Sequence, residues 1–143
     1  MVLAIGNHEV NIFARGKENK APFYFTLFKQ TPKPNSYFYK TIGDHTIIYF
    51  LDTGHISSYS GSQKKWIKKT MNKFKTIRNQ FAVYHIPLYP SHRSYNGIPS
   101  MLGRVNWINT FDKYNLDIAF ENHDHTFKAV SYTHLTLPTT PYV

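Results

Sequence analysis

His123 and His125 stand one residue apart in the run Asn122-His123-Asp124-His125. Imidazoles at that spacing point the same way from an extended chain, and around a turn they can reach two neighbouring ions. Taken alone, a His-x-His pair is as well explained by two surface histidines. Two further groups change that balance. His85 follows the apolar run Phe81-Ala82-Val83-Tyr84, and Asn7 with His8 follows Val2-Leu3-Ala4-Ile5. Imidazole nitrogens with an amide oxygen form a ligand set suited to Zn, Fe or Mn. A histidine beside such ions can also move a proton near neutral pH.

These residues need elements that bring them together. Each apolar run stops at polar residues, as a buried strand does where it enters a loop. Thr46 to Leu51, rich in β-branched and aromatic residues, is a further strand ending at Asp52-Thr53-Gly54-His55. Between it and the first run lies a polar, proline-containing insert. Ser62 is expected to cap a helix in which Trp66, Ile67, Thr70, Met71, Phe74 and Ile77 recur at helical spacing. Lysines occupy its other face. A second helix is expected from Trp107 through Tyr114, leading to a strand at Asp117-Ile118-Ala119-Phe120 and the polar residues that follow. Pro87, Pro90, Gly97 and Pro99 mark a long loop after His85.

The pattern β-α-β-α-β places the chain in the α/β class, with parallel strands joined by right-handed crossovers. Open sheets of that kind hold their ligands at the carboxyl ends of the strands. Asn7, His8, His85, His123 and His125 are all expected there.

Composition narrows the chemistry. The 143 residues suit one domain, and 41% hydrophobic with 17% aromatic content is too apolar for a disordered chain. The absence of cysteine excludes disulfides, thiolate metal sites and thiol catalysis. A net charge of +9 favours anionic partners: phosphate esters, nucleic acid or an anionic membrane surface. No apolar run approaches the roughly 20 residues of a membrane span.

The motifs Gly6-Asn7-His8-Glu9, then His85 with Pro87 and Tyr89, then Asn122-His123-Asp124-His125 follow one another in an order that resembles the calcineurin-like metallophosphoesterases. Leu51-Asp52-Thr53, Gly61-Ser62-Gln63 leading to Trp66, and Trp107 through Asp117 are similar to that family's framework, closest to its purple acid phosphatase-like branch. The resemblance implies a layered α/β sandwich and hydrolysis of phosphate monoesters or diesters through two divalent or trivalent ions, Fe, Zn or Mn. It implies that Asn7, His85 and His123 bind one ion, that His125 binds the other, and that His8 contacts the substrate and assists the leaving group. Asn122 stands where the family usually has glycine, and asparagine tolerates left-handed backbone better than most residues.

The family's Asp-x-His and Gly-Asp motifs, with the metal-bridging aspartate, normally precede Gly-Asn-His and are absent from that place; Asp44 and His45 come after Gly6-Asn7-His8 and before the next strand, and do not replace them. Residues 1–129 are therefore expected to be the C-terminal portion of such a catalytic domain, with little activity in isolation and with any signal peptide upstream. Residues 130–143, free of charge and rich in Thr and Pro, are expected to be a non-native or disordered tail. Two other readings remain open: a basic nucleic-acid-binding module, and a different dinuclear metallohydrolase. The lysine run of the first helix could serve nucleic acid, although a solvated helix face explains it equally.

Overall fold

The computed structural model describes residues 2–28, 30–31, 34–126 and 128. Its centre is a four-stranded sheet in the order β1 (Phe38–Ile42), β2 (Thr46–Phe50), β3 (Asn79–Tyr84), β4 (Ile118–Glu121). β1 is antiparallel to β2, while β2, β3 and β4 run parallel. The chain is thus mixed α/β, and the three strands read from Thr46, Phe81 and Asp117 are the parallel ones. α3 (Gly61–Lys73) connects β2 to β3. The return to β4 runs through α4 (Ile98–Gly103), a π-helical turn (Arg104–Ile108) and α5 (Asn109–Lys113).

Period-2 alternation divides the sheet into two faces. Ile47, Tyr49, Ala82 and Tyr84 point into the main core, where they meet Ile67 and Met71 of α3 and Trp107, Phe111 and Tyr114 of the second connection. The indole of Trp107 is fully buried and donates to the Tyr59 carbonyl at 2.8 Å, so the largest core side chain has its polar atom satisfied. The opposite face carries Ile48, Phe81 and Val83, and at its edges Ile42, Ile118 and Phe120 are exposed.

Several expectations require correction. Val2-Leu3-Ala4-Ile5 is not a strand. Both backbone groups of Leu3 are taken by the Gln30 side chain, N–H to Oε1 at 2.6 Å and carbonyl from Nε2 at 3.0 Å, which replaces a strand partner. Ile5 still lies fully buried in a small second cluster with Ala21 and Tyr24. The segment read as a polar insert contains α1 (Lys17–Lys20), α2 (Pro22–Phe28) and β1. The N-cap of α3 is Ser60 rather than Ser62, and the helix closes at Phe74. The helix placed at Trp107 begins nine residues earlier, at Ile98. The expected tail, residues 130–143, lies outside the described residues.

Candidate metal and phosphate site

Two strand ends and one short turn build the site. β3 ends at Tyr84, so His85 is the first residue beyond it. β4 ends at Glu121, and the next residue, Asn122, continues the pairing: its N–H donates to the His85 carbonyl at 3.1 Å and its side-chain amide to the Tyr84 carbonyl at 2.9 Å. These bonds set His123 beside His85. Asn7 and His8 do not follow a strand but sit on a single 3-10 turn, Asn7–Glu9. The Gly6 N–H···Glu9 Oε2 bond at 2.8 Å closes that turn, and burial of Ile5 against Ala21 and Tyr24 anchors the segment before it.

Three polar atoms converge there. Asn7 Oδ1 lies 2.6 Å from His85 Nε2, and His123 Nδ1 lies 2.9 Å from the same nitrogen. Residues 78 positions apart in sequence are thus in direct contact. Gly6 makes the approach possible: a Cβ on it would stand 2.8 Å from His85 Nδ1 and 2.9 Å from Cε1. The requirement is for space, since Gly6 has an ordinary extended φ of −123°.

Burial is the largest cause, followed by the charges of His55, His123, His8 and His125, that holds the His85 imidazole down to about 4, so it is neutral at physiological pH. Burial also lowers the His123 imidazole, with Arg93 adding to the effect and Asp124 opposing it. His8 and His125 are both exposed and act on His85 only through charge. Asn7, His85 and His123 are brought together; His125 and His8 are placed around them rather than in contact.

His123 and His125 have φ of +67° and +51°, a left-handed conformation that costs a non-glycine residue about 1 kcal/mol or more. Asn122, which stands in the family's glycine position, is engaged in bonds to β3, and the left-handed backbone falls on the two histidines. Between them Asp124 accepts from Arg93 Nε at 2.9 Å, while its buried Oδ2 has no partner among the described residues.

His55, not selected as a site residue from sequence, is the fifth histidine of the cluster. Its ring meets that of His85 edge-on, with centroids 5.3 Å apart. The loop that carries it is built around the fully buried Asp52 carboxylate, which accepts the N–H groups of His55 at 2.8 Å, Ile56 at 3.0 Å and Ser57 at 2.6 Å. Gln63, on the first turn of α3, closes the loop by bonding both the N–H and the carbonyl of Asp52 at 2.9 Å. Thr53 Oγ1 accepts the Ile86 N–H at 3.0 Å, which ties this loop to the one after His85. The signal for His55 was its place in the polar turn Asp52-Thr53-Gly54-His55 that ends the Thr46 to Leu51 run, although it stands five residues beyond β2 whereas His85 is the first residue beyond β3.

The donor set fits a first-row divalent ion on its chemistry. One imidazole nitrogen carries either one proton or one lone pair, so His85 Nε2 cannot form two good bonds with both Asn7 Oδ1 and His123 Nδ1 when those atoms are acceptors. Three lone pairs directed at one region suit a cation. The set is nevertheless small, for among the described residues no three His, Cys, Asp or Glu side chains form a group able to hold a metal ion.

Comparison with family models, with curated proteins and with solved structures finds no match for this chain.

Proposed function

We propose that this chain carries part of the metal centre of a phosphoesterase of the calcineurin-like metallophosphoesterase kind, purple acid phosphatase-like branch, acting on phosphate monoesters or diesters. The observation that carries the reading is the approach of Asn7 Oδ1, at 2.6 Å, and His123 Nδ1, at 2.9 Å, to the one atom His85 Nε2. Three further features support it. Gly6 is packed so closely on His85 that no side chain fits there. Asp52 and Gln63, two of the framework residues, are buried and joined. The apolar face at Phe81, Ile118 and Phe120 suits a layered fold in which a second layer covers the sheet.

In this reading Asn7, His85 and His123 hold one ion and His125 serves a second. Bound metal of this type supplies an activated water and neutralises charge on phosphoryl oxygens. His8, exposed at the rim, contacts the substrate and donates a proton to the departing oxygen. His85, kept neutral by burial, presents a lone pair rather than a positive charge.

The residues before Gly6-Asn7-His8 hold neither the Asp-x-His nor the Gly-Asp motif of that family, so the direct test is metal uptake. Equilibrium dialysis against Zn²⁺, Mn²⁺ and Fe²⁺, with metal content read by mass spectrometry, is expected to find chelator-removable binding that His85→Ala reduces and His8→Ala leaves intact. Uptake by His85→Ala equal to the parent's would refute the assignment, as would absence of uptake for all three ions.

A further inference from the structure

The two helical connections on the main-core side of the sheet turn different chemistry outward. On α4 and the π-helical turn, Ile98, Met101, Leu102 and Val105 recur at the spacing of one helix face, and all four are exposed, Ile98 by 67% and Val105 by 70%. The buried side of the same stretch is Ser100, Gly103 and Trp107, so the apolar stripe faces away from the sheet. A soluble surface helix has its polar residues there. Four apolar side chains at i, i+3, i+4 and i+7 on the solvent side invert the pattern and are left uncovered by the described residues.

The neighbouring helix, α3, carries Lys64, Lys65, Lys68, Lys69 and Lys73 on its solvent side, opposite the buried Ile67 and Met71. No acidic residue occurs between Asp52 and Asp112, and among the described residues none of these lysines forms an ion pair. The two surfaces are continuous, because Lys64 Nζ donates to Asn106 Oδ1 at 3.2 Å, across the seam between α3 and the π-helical turn. An apolar stripe and an uncompensated basic face thus lie side by side and look outward from the same side of the sheet.

We propose that this combined face docks the chain on an anionic lipid bilayer surface, with Ile98, Met101, Leu102 and Val105 entering the boundary between headgroups and acyl chains and the α3 lysines resting on the headgroups. Charge complementarity selects the occupant: interfacial binding draws on buried apolar area and on attraction between lysines and anionic lipid together. A nucleic acid would engage the lysines and leave the stripe in water. The stretch from Ile98 to Ile108 lies on the surface of the fold rather than across a bilayer; among the described residues no helix is long and apolar enough to span one.

Vesicle flotation of the full chain tests the proposal, using phosphatidylcholine alone and phosphatidylcholine with about one-third phosphatidylserine. Binding is expected only to the serine-containing vesicles, and it weakens as salt rises. Ile98→Ser with Val105→Ser should reduce partitioning at least about tenfold, and Lys65→Gln or Lys69→Gln about fivefold each. All four positions are exposed, and an unchanged circular dichroism spectrum certifies the fold. The proposal is overturned by failure to float with anionic vesicles or by flotation indifferent to the serine substitutions. It is equally overturned if those substitutions leave vesicle binding intact and instead abolish a dimer seen by sedimentation, since a second copy would then be the occupant. Binding to duplex DNA that depends on the lysines, without vesicle binding, would assign the face to nucleic acid.

Discussion

Replacing Gly6 by alanine adds one methyl group at the most crowded point of the site. The new Cβ would lie 2.8 Å from His85 Nδ1 and 2.9 Å from Cε1, whereas carbon atoms in ordinary contact sit about 3.5 Å or more from their neighbours. The ring must therefore retreat by about 0.7 Å, the difference between those separations. Glu9 Oε2, 2.9 Å from the same position, ends a side chain that can swing away, but His85 is confined by Asn7, His123 and His55. Overpacking of this kind costs about 1–3 kcal/mol. Alanine at an ordinary φ returns about 0.4–1 kcal/mol by restricting the unfolded chain. A net destabilisation of about 1–2 kcal/mol is expected from urea titration.

The decisive form is a double-mutant cycle. In a His85→Ala background the obstacle is gone, so Gly6→Ala should become neutral or slightly stabilising, giving a coupling of about 1–3 kcal/mol. The same retreat moves a proposed ligand by more than the roughly 0.2 Å that metal coordination tolerates, and metal affinity should fall about tenfold or more. Equal destabilisation by Gly6→Ala in both backgrounds would refute the close packing of Gly6 on His85, whatever the site binds.

Asp52→Ala strips the acceptor from the N–H groups of His55, Ile56 and Ser57, and at about 1 kcal/mol or more for each orphaned donor the loss should reach about 3 kcal/mol; a loss below about 1 kcal/mol in a denaturant midpoint would show that the loop is not built on this carboxylate. Burial pushes the Tyr24 hydroxyl up to about 12, ahead of the opposing bond from Gln30, and burial also raises Tyr49 and Tyr59. The folded state therefore holds these protons more tightly than the unfolded chain does, so stability is unaffected below about pH 10 and declines as pH climbs from there through 12. Ultraviolet titration should find a late-ionising tyrosine class whose appearance coincides with loss of the far-ultraviolet signal; complete tyrosine ionisation near pH 10 with the fold intact would contradict it.

The strands of the parallel sheet were legible in sequence because each is a β-branched or aromatic run stopped by polar residues, a signal contained within a few positions. α3 was legible for the same reason, its apolar residues recurring from Trp66 to Phe74. Its cap shifted by two residues because serines occur at both Ser60 and Ser62, and only the helix axis chooses between them. The expectation that Asn7, His85 and His123 all lie at strand ends likewise placed these side chains in one neighbourhood, although the segment before Asn7 is not a strand.

Tertiary structure decided what depends on partners distant in sequence. Val2 to Ile5 has the composition of a strand, yet Gln30 takes both backbone groups of Leu3, and no local pattern encodes that contact. The stretch from Ile98 does carry helical spacing at Ile98, Met101, Leu102 and Val105, but its apolar side faces solvent and Pro99 stands in its first turn; it is held by the Ser100 hydroxyl on the Pro87 carbonyl and by Arg104 stacked 3.8 Å over Tyr95. His55 joined the cluster only when Asp52 folded its loop back toward β3, and the left-handed backbone fell on His123 and His125 once Asn122 was bound to β3. Periodicity is a property of neighbouring residues and is written along the chain. The contact between Gly6 and the His85 ring is a property of two segments pressed together, and exists only once packing has joined them.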